Sequence, residues 1–326
     1  VYPEKVALNK LFHLYTINQV MKKLTIIIGL FLATPAFSQD SSFSQQEVIY
    51  GRRDGMALTM VVLTPAKANG KGIISMVSGN WLSGYDRLER MINRAKPFVG
   101  GGYTVFLTMH SSGPRYAIPD AIEDVQRAVQ YVRYHAALYK IDSSLIGITG
   151  TSSGGHLSLC AGTANDVMNT RSNDPVERVS SKVQAVAVFC PPTDFLNYGS
   201  QGLNAGMQKP LLQQLRLSGA FAYTELDAKK FMYVPVEDDN KRLSIDTLIS
   251  PAQMVTADDA PAYIMHGDKD KLVPLQQSKL MEEKLLAAKV PVQLTVKAGA
   301  DHGWRSMVED EKEFVQWFDK YLEVKR

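Results

Sequence analysis

The chain has 326 residues, of which 45% are hydrophobic and 21% charged, with a formal net charge of +3. That is the composition of an ordinary soluble globule with enough apolar material for one large core. The positive balance does not argue for nucleic acid or an anionic membrane as partner: Lys5, Lys10, Lys22 and Lys23 against Glu4 place all of it in residues 1–38, leaving 32 bases and 32 acids in the rest.

In chain order, Met21-Lys22-Lys23 is followed by the uncharged, mostly apolar run Leu24–Ala33 and then by Thr34-Pro35-Ala36-Phe37-Ser38-Gln39. A basic start, a short apolar stretch and small residues before a cut after Ser38 read as a signal peptide over residues 21–38. The run is too short to cross a bilayer, which takes about 20 residues, so the mature chain is expected to carry no membrane span. A buried N-terminal helix is the alternative. Residues 1–20 read as an extension from an upstream start, with Met21 the initiator. The protein is therefore expected to be exported, to the periplasm or the outside.

Glu47–Tyr50 and Leu58–Leu63, divided by Gly51–Gly55, have the pattern of an opening hairpin. Gly72–Val77 is a buried strand that runs into Ser78-Gly79-Asn80-Trp81. Helical periodicity over Tyr85–Phe98 stops at Gly100-Gly101-Gly102, and Tyr103–Met109 is the next strand. Pro119–Tyr139 reads as a long amphipathic helix, followed by strands at Leu145–Thr149 and Val183–Phe189. Ala262–Met265, the helix Leu275–Ala288, the strand Val292–Val296 and the helix Met307–Leu322 complete the series. Apolar strands alternating with helices imply a mostly parallel sheet with helices on both faces, hence a single α/β domain over 39–326. The polar, irregular stretch Asn197–Ser250 breaks the alternation. It reads as a cap-like insertion over the carboxyl edge of the sheet, where such folds bind ligands, or as a decoration that touches no substrate. Cys160 and Cys190, the only cysteines, are expected to be buried free thiols, although export would permit a disulfide.

The chemistry is concentrated at Ile146–Leu157, where an apolar run reaches Gly150-Thr151-Ser152-Ser153-Gly154 and leaves into a helical pattern. This is G-x-S-x-G in the strand-turn-helix setting that pushes a serine hydroxyl out of the turn. A serine hydroxyl needs a base within hydrogen-bond reach and a third group to hold that base. Two later loops, His266-Gly267-Asp268-Lys269-Asp270 and Gly299-Ala300-Asp301-His302-Gly303, follow strands and so fall at the same sheet edge. The order Ser152, Asp270, His302 is that of the α/β-hydrolase arrangement.

From about Gly72 to Leu322 the chain resembles serine esterases of the α/β-hydrolase superfamily, most of all the bacterial carboxylesterase and acetylxylan/feruloyl esterase-like branch. Gly150–Leu157, His266-Gly267-x-x-Asp270-x-x-Val273-Pro274 and His302-Gly303 carry the resemblance, with Asp120, Arg133 and Pro192-Thr193-Asp194 adding to it. The last part of the chain is also similar to prolyl-oligopeptidase-type hydrolases. The resemblance implies an α/β-hydrolase fold, Ser152 as nucleophile, His302 as base and Asp270 as the acid, with no cofactor and no metal. Asp268 and Asp194 compete for the acid's role, while Asp301 reads as a surface residue. His156 and His266 read as local packing residues.

Relatives often carry His-Gly-Gly-Gly at the oxyanion turn; here Val77-Ser78-Gly79-Asn80 stands in its place. Backbone N–H groups do the work there, so Gly79, Asn80 and Ser153 are the expected donors. Trp81 and His110 are candidates for lining the pocket. The expected activity is hydrolysis of carboxylic esters, with short acyl groups and acetylated or feruloylated carbohydrate favoured. A prolyl-oligopeptidase-type peptidase and a non-catalytic binding protein are the alternatives.

Overall fold

The computed structural model describes residues 43–323. The leader and upstream extension expected over residues 1–38 lie outside the described residues. β1 (Phe43–Arg53) and β2 (Met56–Pro65) form an antiparallel hairpin around Asp54-Gly55. Both turn residues have positive φ, 47° and 82°, and this backbone matches the right-handed twist of the two strands. The hairpin is longer than apolar alternation suggests. Residues 44–47 of β1 are exposed and so carry no periodic signal, yet they pair in register with Val61–Thr64.

The remaining elements are β3 (Gly72–Met76), α1 (Leu88–Gly100), β4 (Thr104–Thr108), α2 (Ile118–Tyr134), β5 (Ile146–Thr151), α3 (Ser153–Thr163) and β6 (Ala185–Phe189). There follow α4 (Lys209–Gln214), β7 (Thr224–Asp227), β8 (Met232–Pro235), α5 (Asp239–Leu248), β9 (Ala262–Gly267), α6 (Gln276–Ala287), β10 (Val292–Lys297) and α7 (Met307–Tyr321). Eight strands form one sheet in the order β1-β2-β4-β3-β5-β6-β9-β10, parallel from β4 to β10 and antiparallel at the β1–β2–β4 end. β3 through β6 are buried along their whole length except at Thr151, the last residue of β5, which explains why their sequences are mostly apolar without alternation.

Two cores lie against the sheet. One packs Val125, Ala128 and Val129 of α2, Leu157 of α3 and Met281 and Leu285 of α6. The other packs Met91, Ala95 and Phe98 of α1 with Phe314, Trp317 and Phe318 of α7. α2 ends at Tyr134, short of the Tyr139 that periodicity suggests. The apolar spacing outlasts the helix because Ala136, Tyr139 and Ile141 stay buried within an irregular turn, where Tyr139 meets Phe106 edge to face at 5.1 Å.

Residues 197–250 hold α4, the β7–β8 hairpin and α5. They are fastened to the loops after β6 and β9: the Phe195 N–H donates to Ser250 Oγ at 2.9 Å, and the Tyr198 hydroxyl to the Leu272 carbonyl at 2.8 Å. No described helix is long and apolar enough to cross a membrane.

Candidate active site

β5 delivers the chain to Ser152 and α3 begins one residue later, so the reversal falls on a single residue with φ 57° and ψ −122°. A non-glycine residue at positive φ costs on the order of 1–3 kcal/mol and persists only where its surroundings hold it. Here the Ser152 N–H donates to the Phe189 carbonyl and the Ser152 carbonyl accepts from the His156 N–H, each at 2.8 Å. The turn closes so tightly that a Cβ on Gly150 would run into the Gly154 carbonyl. The glycines of G-x-S-x-G are thus a steric requirement of the serine's position.

The loops after β9 and β10 meet this turn. His302 Nε2 lies 2.9 Å from Ser152 Oγ, and His302 Nδ1 lies 2.7 Å from Asp270 Oδ2. A carboxylate only accepts, so Nδ1 carries the ring proton and the Nε2 lone pair faces the serine hydroxyl. The Asp270 side chain is fully buried. Its Oδ1 accepts the N–H groups of Leu272 and Val273 at 2.9 and 2.8 Å. Burial opposes its ionisation, but hydrogen bonds from His266, His302 and the Val273 N–H together hold its carboxyl well below the usual carboxylate range.

His266 backs the acid. Its Nε2 faces two acceptors, the Val273 carbonyl at 2.9 Å and Asp270 Oδ2 at 3.2 Å, and therefore bears the proton. Its Nδ1 then accepts from the Ser278 hydroxyl at 2.6 Å. The two loops touch closely enough that a Cβ on Gly267 would strike the carbonyls of Ala300 and Asp301. Asp268 and Asp301, both weighed from sequence, lace them together. Asp268 Oδ1 accepts the Gly299 N–H at 2.7 Å, and Asp301 Oδ1 accepts the N–H groups of Lys271 and His302 at 3.0 and 2.8 Å. Asp194 is buried, with its oxygens taken by Leu196, Asn197 and Gln253, and makes no contact with His302.

The oxyanion turn differs from expectation at one position. Asn80 and Trp81 both have φ 54°, as the central residues of a type I′ turn do. The flanking residues close it reciprocally: the Gly79 N–H donates to the Leu82 carbonyl at 3.0 Å, and the Leu82 N–H to the Gly79 carbonyl at 2.9 Å. The Gly79 N–H is therefore committed to the turn, and Gly79 is withdrawn as a donor. The N–H groups of Asn80 and Ser153 have no acceptor among the described residues. Asn80, Ser152 and His302 share one cavity of about 370 Å³, within the range of small-molecule sites.

A profile of the BD-FAE family matches residues 60–285, from β2 to α6, a span that includes Ser152 and Asp270. The chain belongs to the BD-FAE family. It is 28% identical over 259 residues to the "Probable carboxylic ester hydrolase LipM" of Mycobacterium tuberculosis, covering 76% of this chain and 52% of that protein. The chain thus spans about half the length of the curated relatives it matches. Among solved structures it resembles a truncated carbohydrate esterase from gut microbiota, with TM-score 0.65 and 24% identity over 86% of this chain and 98% of that one. An acetyl ester-xyloside bifunctional hydrolase from Caldicellulosiruptor lactoaceticus gives TM-score 0.63 and 22% identity over 84% and 96%. The fold is accordingly that of the α/β hydrolases.

Two pocket candidates of this BD-FAE chain lie elsewhere than expected. Trp81 does not line the cavity. The left-handed turn sends its indole inward, among Phe195, Phe221 and His156 at ring distances of 5.7, 5.9 and 5.4 Å. Its Nε1–H donates to His156 Nδ1 at 3.0 Å, and His156 Nε2–H donates to the Ile249 carbonyl at 2.7 Å. One imidazole thereby joins the oxyanion turn, α3 and the end of the insertion. His110 is also buried outside the cavity. Its Nδ1–H donates to the Ser111 carbonyl at 2.6 Å, so Nε2 accepts from Ser78 Oγ at 2.9 Å. Ser78 Oγ in turn accepts from Ser153 Oγ at 3.0 Å, so His110 steadies the turn from behind. No residue of the 197–250 segment is among those that line the cavity. Cys160 and Cys190 are free and buried. Cys190, His266 and Asp270 place three metal-type donor atoms within 4.8 Å, but hydrogen bonds already occupy His266 and Asp270.

Burial pushes the His156 pKa down to about 4. Between about pH 6.5, where an unfolded histidine titrates, and about pH 4 the unfolded chain takes up a proton that the folded chain refuses. Stability therefore falls as the pH is lowered through this window, by about 3 kcal/mol in full. His156→Gln has no such step. Urea unfolding of both proteins at pH 7 and pH 4 is expected to show wild type losing that much more than the variant; equal losses would remove His156 from the account.

Sequence reasoning names His266, His110 and Ser78 without their supporting roles, His266 beneath Asp270 and Ser78 with His110 behind Ser153, and it passes over Arg94 altogether. Arg94 Nε donates to Glu311 Oε1 and its Nη1 to Thr151 Oγ1, each at 2.6 Å. Burial raises the Glu311 carboxyl to about 7 against the opposing pull of Arg94. The signal for Arg94 was its spacing from Arg87 and Arg90 along one helical face.

Proposed function

We propose that this chain hydrolyses carboxylic esters with short acyl groups, carried on carbohydrate, through an acyl-enzyme at Ser152. The observation that supports it best is the hydrogen-bonded run from Ser152 through His302 to Asp270, at 2.9 and 2.7 Å. His302 Nε2 takes the hydroxyl proton as Ser152 Oγ bonds to the ester carbonyl carbon. The N–H groups of Asn80 and Ser153 are the donors for the resulting oxyanion, roughly 3 kcal/mol each to the transition state. Collapse breaks the bond to the alcohol, which leaves with the proton from His302. Water, deprotonated by the same imidazole, then releases the acid and restores Ser152. Asp270 holds the ring orientation and stabilises the imidazolium throughout.

Membership of the BD-FAE family and likeness to carbohydrate and acetyl-ester hydrolases support an ester, and a sugar as its alcohol half. The reading includes export through residues 21–38, so N-terminal sequencing of secreted protein should begin at Gln39. The activity test is an ester panel from p-nitrophenyl acetate to long-chain esters, with acetylated and feruloylated xylan. Fastest turnover is expected on acetate and release of acetate from xylan. A prolyl peptide p-nitroanilide cleaved faster than p-nitrophenyl acetate would make the chain a peptidase. Failure of an organophosphonate to label wild type would leave a binding protein.

A further inference from the structure

Among the described residues, the cavity at Ser152 is lined by Arg87, Arg90 and Arg94 and by no aspartate or glutamate. The three lie at the start of α1 and along it, three and four residues apart, a spacing that gathers side chains on one helical face. Of the three, Arg94 alone has a carboxyl group at close range among the described residues, that of Glu311 at 2.6 Å. The nearest carboxylate to Arg87 is that of the largely exposed Asp86 at 3.9 Å, and Arg90 has no ion-pair partner among the described residues. The excess is local, because residues 39–326 hold equal numbers of acids and bases. The Arg87 guanidinium also lies across the oxyanion turn in the space a side chain at position 79 would fill. Two arginines without a close carboxylate partner thus line the cavity in which the ester must sit.

We infer that the preferred substrates are esters whose unreacting portion carries a carboxylate, gripped by Arg87 and Arg90; this rests on the ester-hydrolase reading above. A planar guanidinium matches a carboxylate in two parallel hydrogen bonds, which a neutral substituent of the same shape cannot form. On carbohydrate, the chemistry is that of a uronic acid bearing the acyl group or adjoining the sugar that bears it. A carboxylate at the far end of the acyl group is the other source of the same chemistry.

Two matched pairs distinguish the sources. 4-Acetoxybenzoate against 4-acetoxybenzamide puts the charge on the alcohol half, and mono-4-nitrophenyl glutarate against 4-nitrophenyl butyrate puts it on the acyl half. Wild type is expected to favour the anionic member of the first pair by about tenfold or more in kcat/KM at low ionic strength, with the preference shrinking in about 0.5 M salt. The Arg87→Gln/Arg90→Gln double variant should bring that ratio to about one through a rise in KM, and the corresponding double lysine variant should keep most of it. A preference confined to the second pair keeps the inference and moves the charge to the acyl half. Ratios near one on both pairs in wild type would overturn it. So would a preference that survives the double glutamine substitution, or a fall in kcat by the same factor on charged and neutral esters, which would mark stabilisation of the oxyanion instead. If wild type hydrolyses none of these esters, the hydrolase reading fails. Calorimetric titration of Ser152→Ala with 4-acetoxybenzoate and 4-acetoxybenzamide then decides the inference alone: tighter binding of the anion upholds it, and equal binding overturns it.

Discussion

Ser152→Ala is expected to lower kcat for p-nitrophenyl acetate by roughly 10⁶-fold, to the level supplied by binding and the oxyanion donors. In the proposed reaction the hydroxyl is the atom that bonds to the acyl carbon, and it is the group hydrogen-bonded to His302 Nε2. The backbone strain stays, because alanine at φ 57° is no more comfortable than serine. The urea midpoint should therefore move little while turnover and organophosphonate labelling disappear. A variant that keeps activity within tenfold of wild type would mean the ester bond is broken elsewhere.

Asp270→Asn is expected to cost about 10⁴-fold in kcat, the scale on which a serine triad responds to a wrong tautomer. The argument is specific to this site. The carboxylate accepts four hydrogen bonds, from the Leu272 and Val273 N–H groups and from the rings of His302 and His266. An amide has one oxygen. Keeping the two backbone donors satisfied turns its NH₂ toward both imidazoles, so His302 must give up the proton on Nδ1 and carry it on Nε2. The nitrogen facing Ser152 can then no longer accept. Stability should report the same change. A carboxyl held below its ordinary range stabilises the fold at pH above the unfolded value of about 3.9, and that contribution is lost as pH falls through the folded value. The variant should therefore be less stable than wild type at pH 7, with the gap narrowing in acid below about pH 4. Near-normal kcat in the asparagine variant would detach Asp270 from the reaction.

Most of the frame is legible from residue order because it depends on local chemistry. Gly150-Thr151-Ser152-Ser153-Gly154 has few backbone solutions, and the apolar strands around it leave little choice of architecture. Asp270 and His302 follow strands, so a parallel sheet brings them to the edge where Ser152 stands. The misplacements at Gly79 and Trp81 share a cause. Asparagine tolerates left-handed backbone, so Asn80 at positive φ is unsurprising, but Trp81 adopts it too. That second reversal turns the indole into the core and hands the Gly79 N–H to Leu82. No periodicity encodes which partner a loop N–H will choose. The arginines at the start of α1 and along it were missed for a different reason: their spacing is visible in the sequence, but the face they share acquires meaning only once α1 is docked against β2, β4 and α7.

The close approach at Gly267, with the cross-links from Asp268 and Asp301, has a mechanical consequence. The segments bearing the acid and the base are riveted into one stiff piece, so their mutual distance is the least deformable length in the site. Ser152 stands two strands away in the same sheet, at the junction of β5 and α3. Thermal drift or a strained substrate will therefore be taken up in the gap between hydroxyl and imidazole, and that gap is the adjustable joint of the machine.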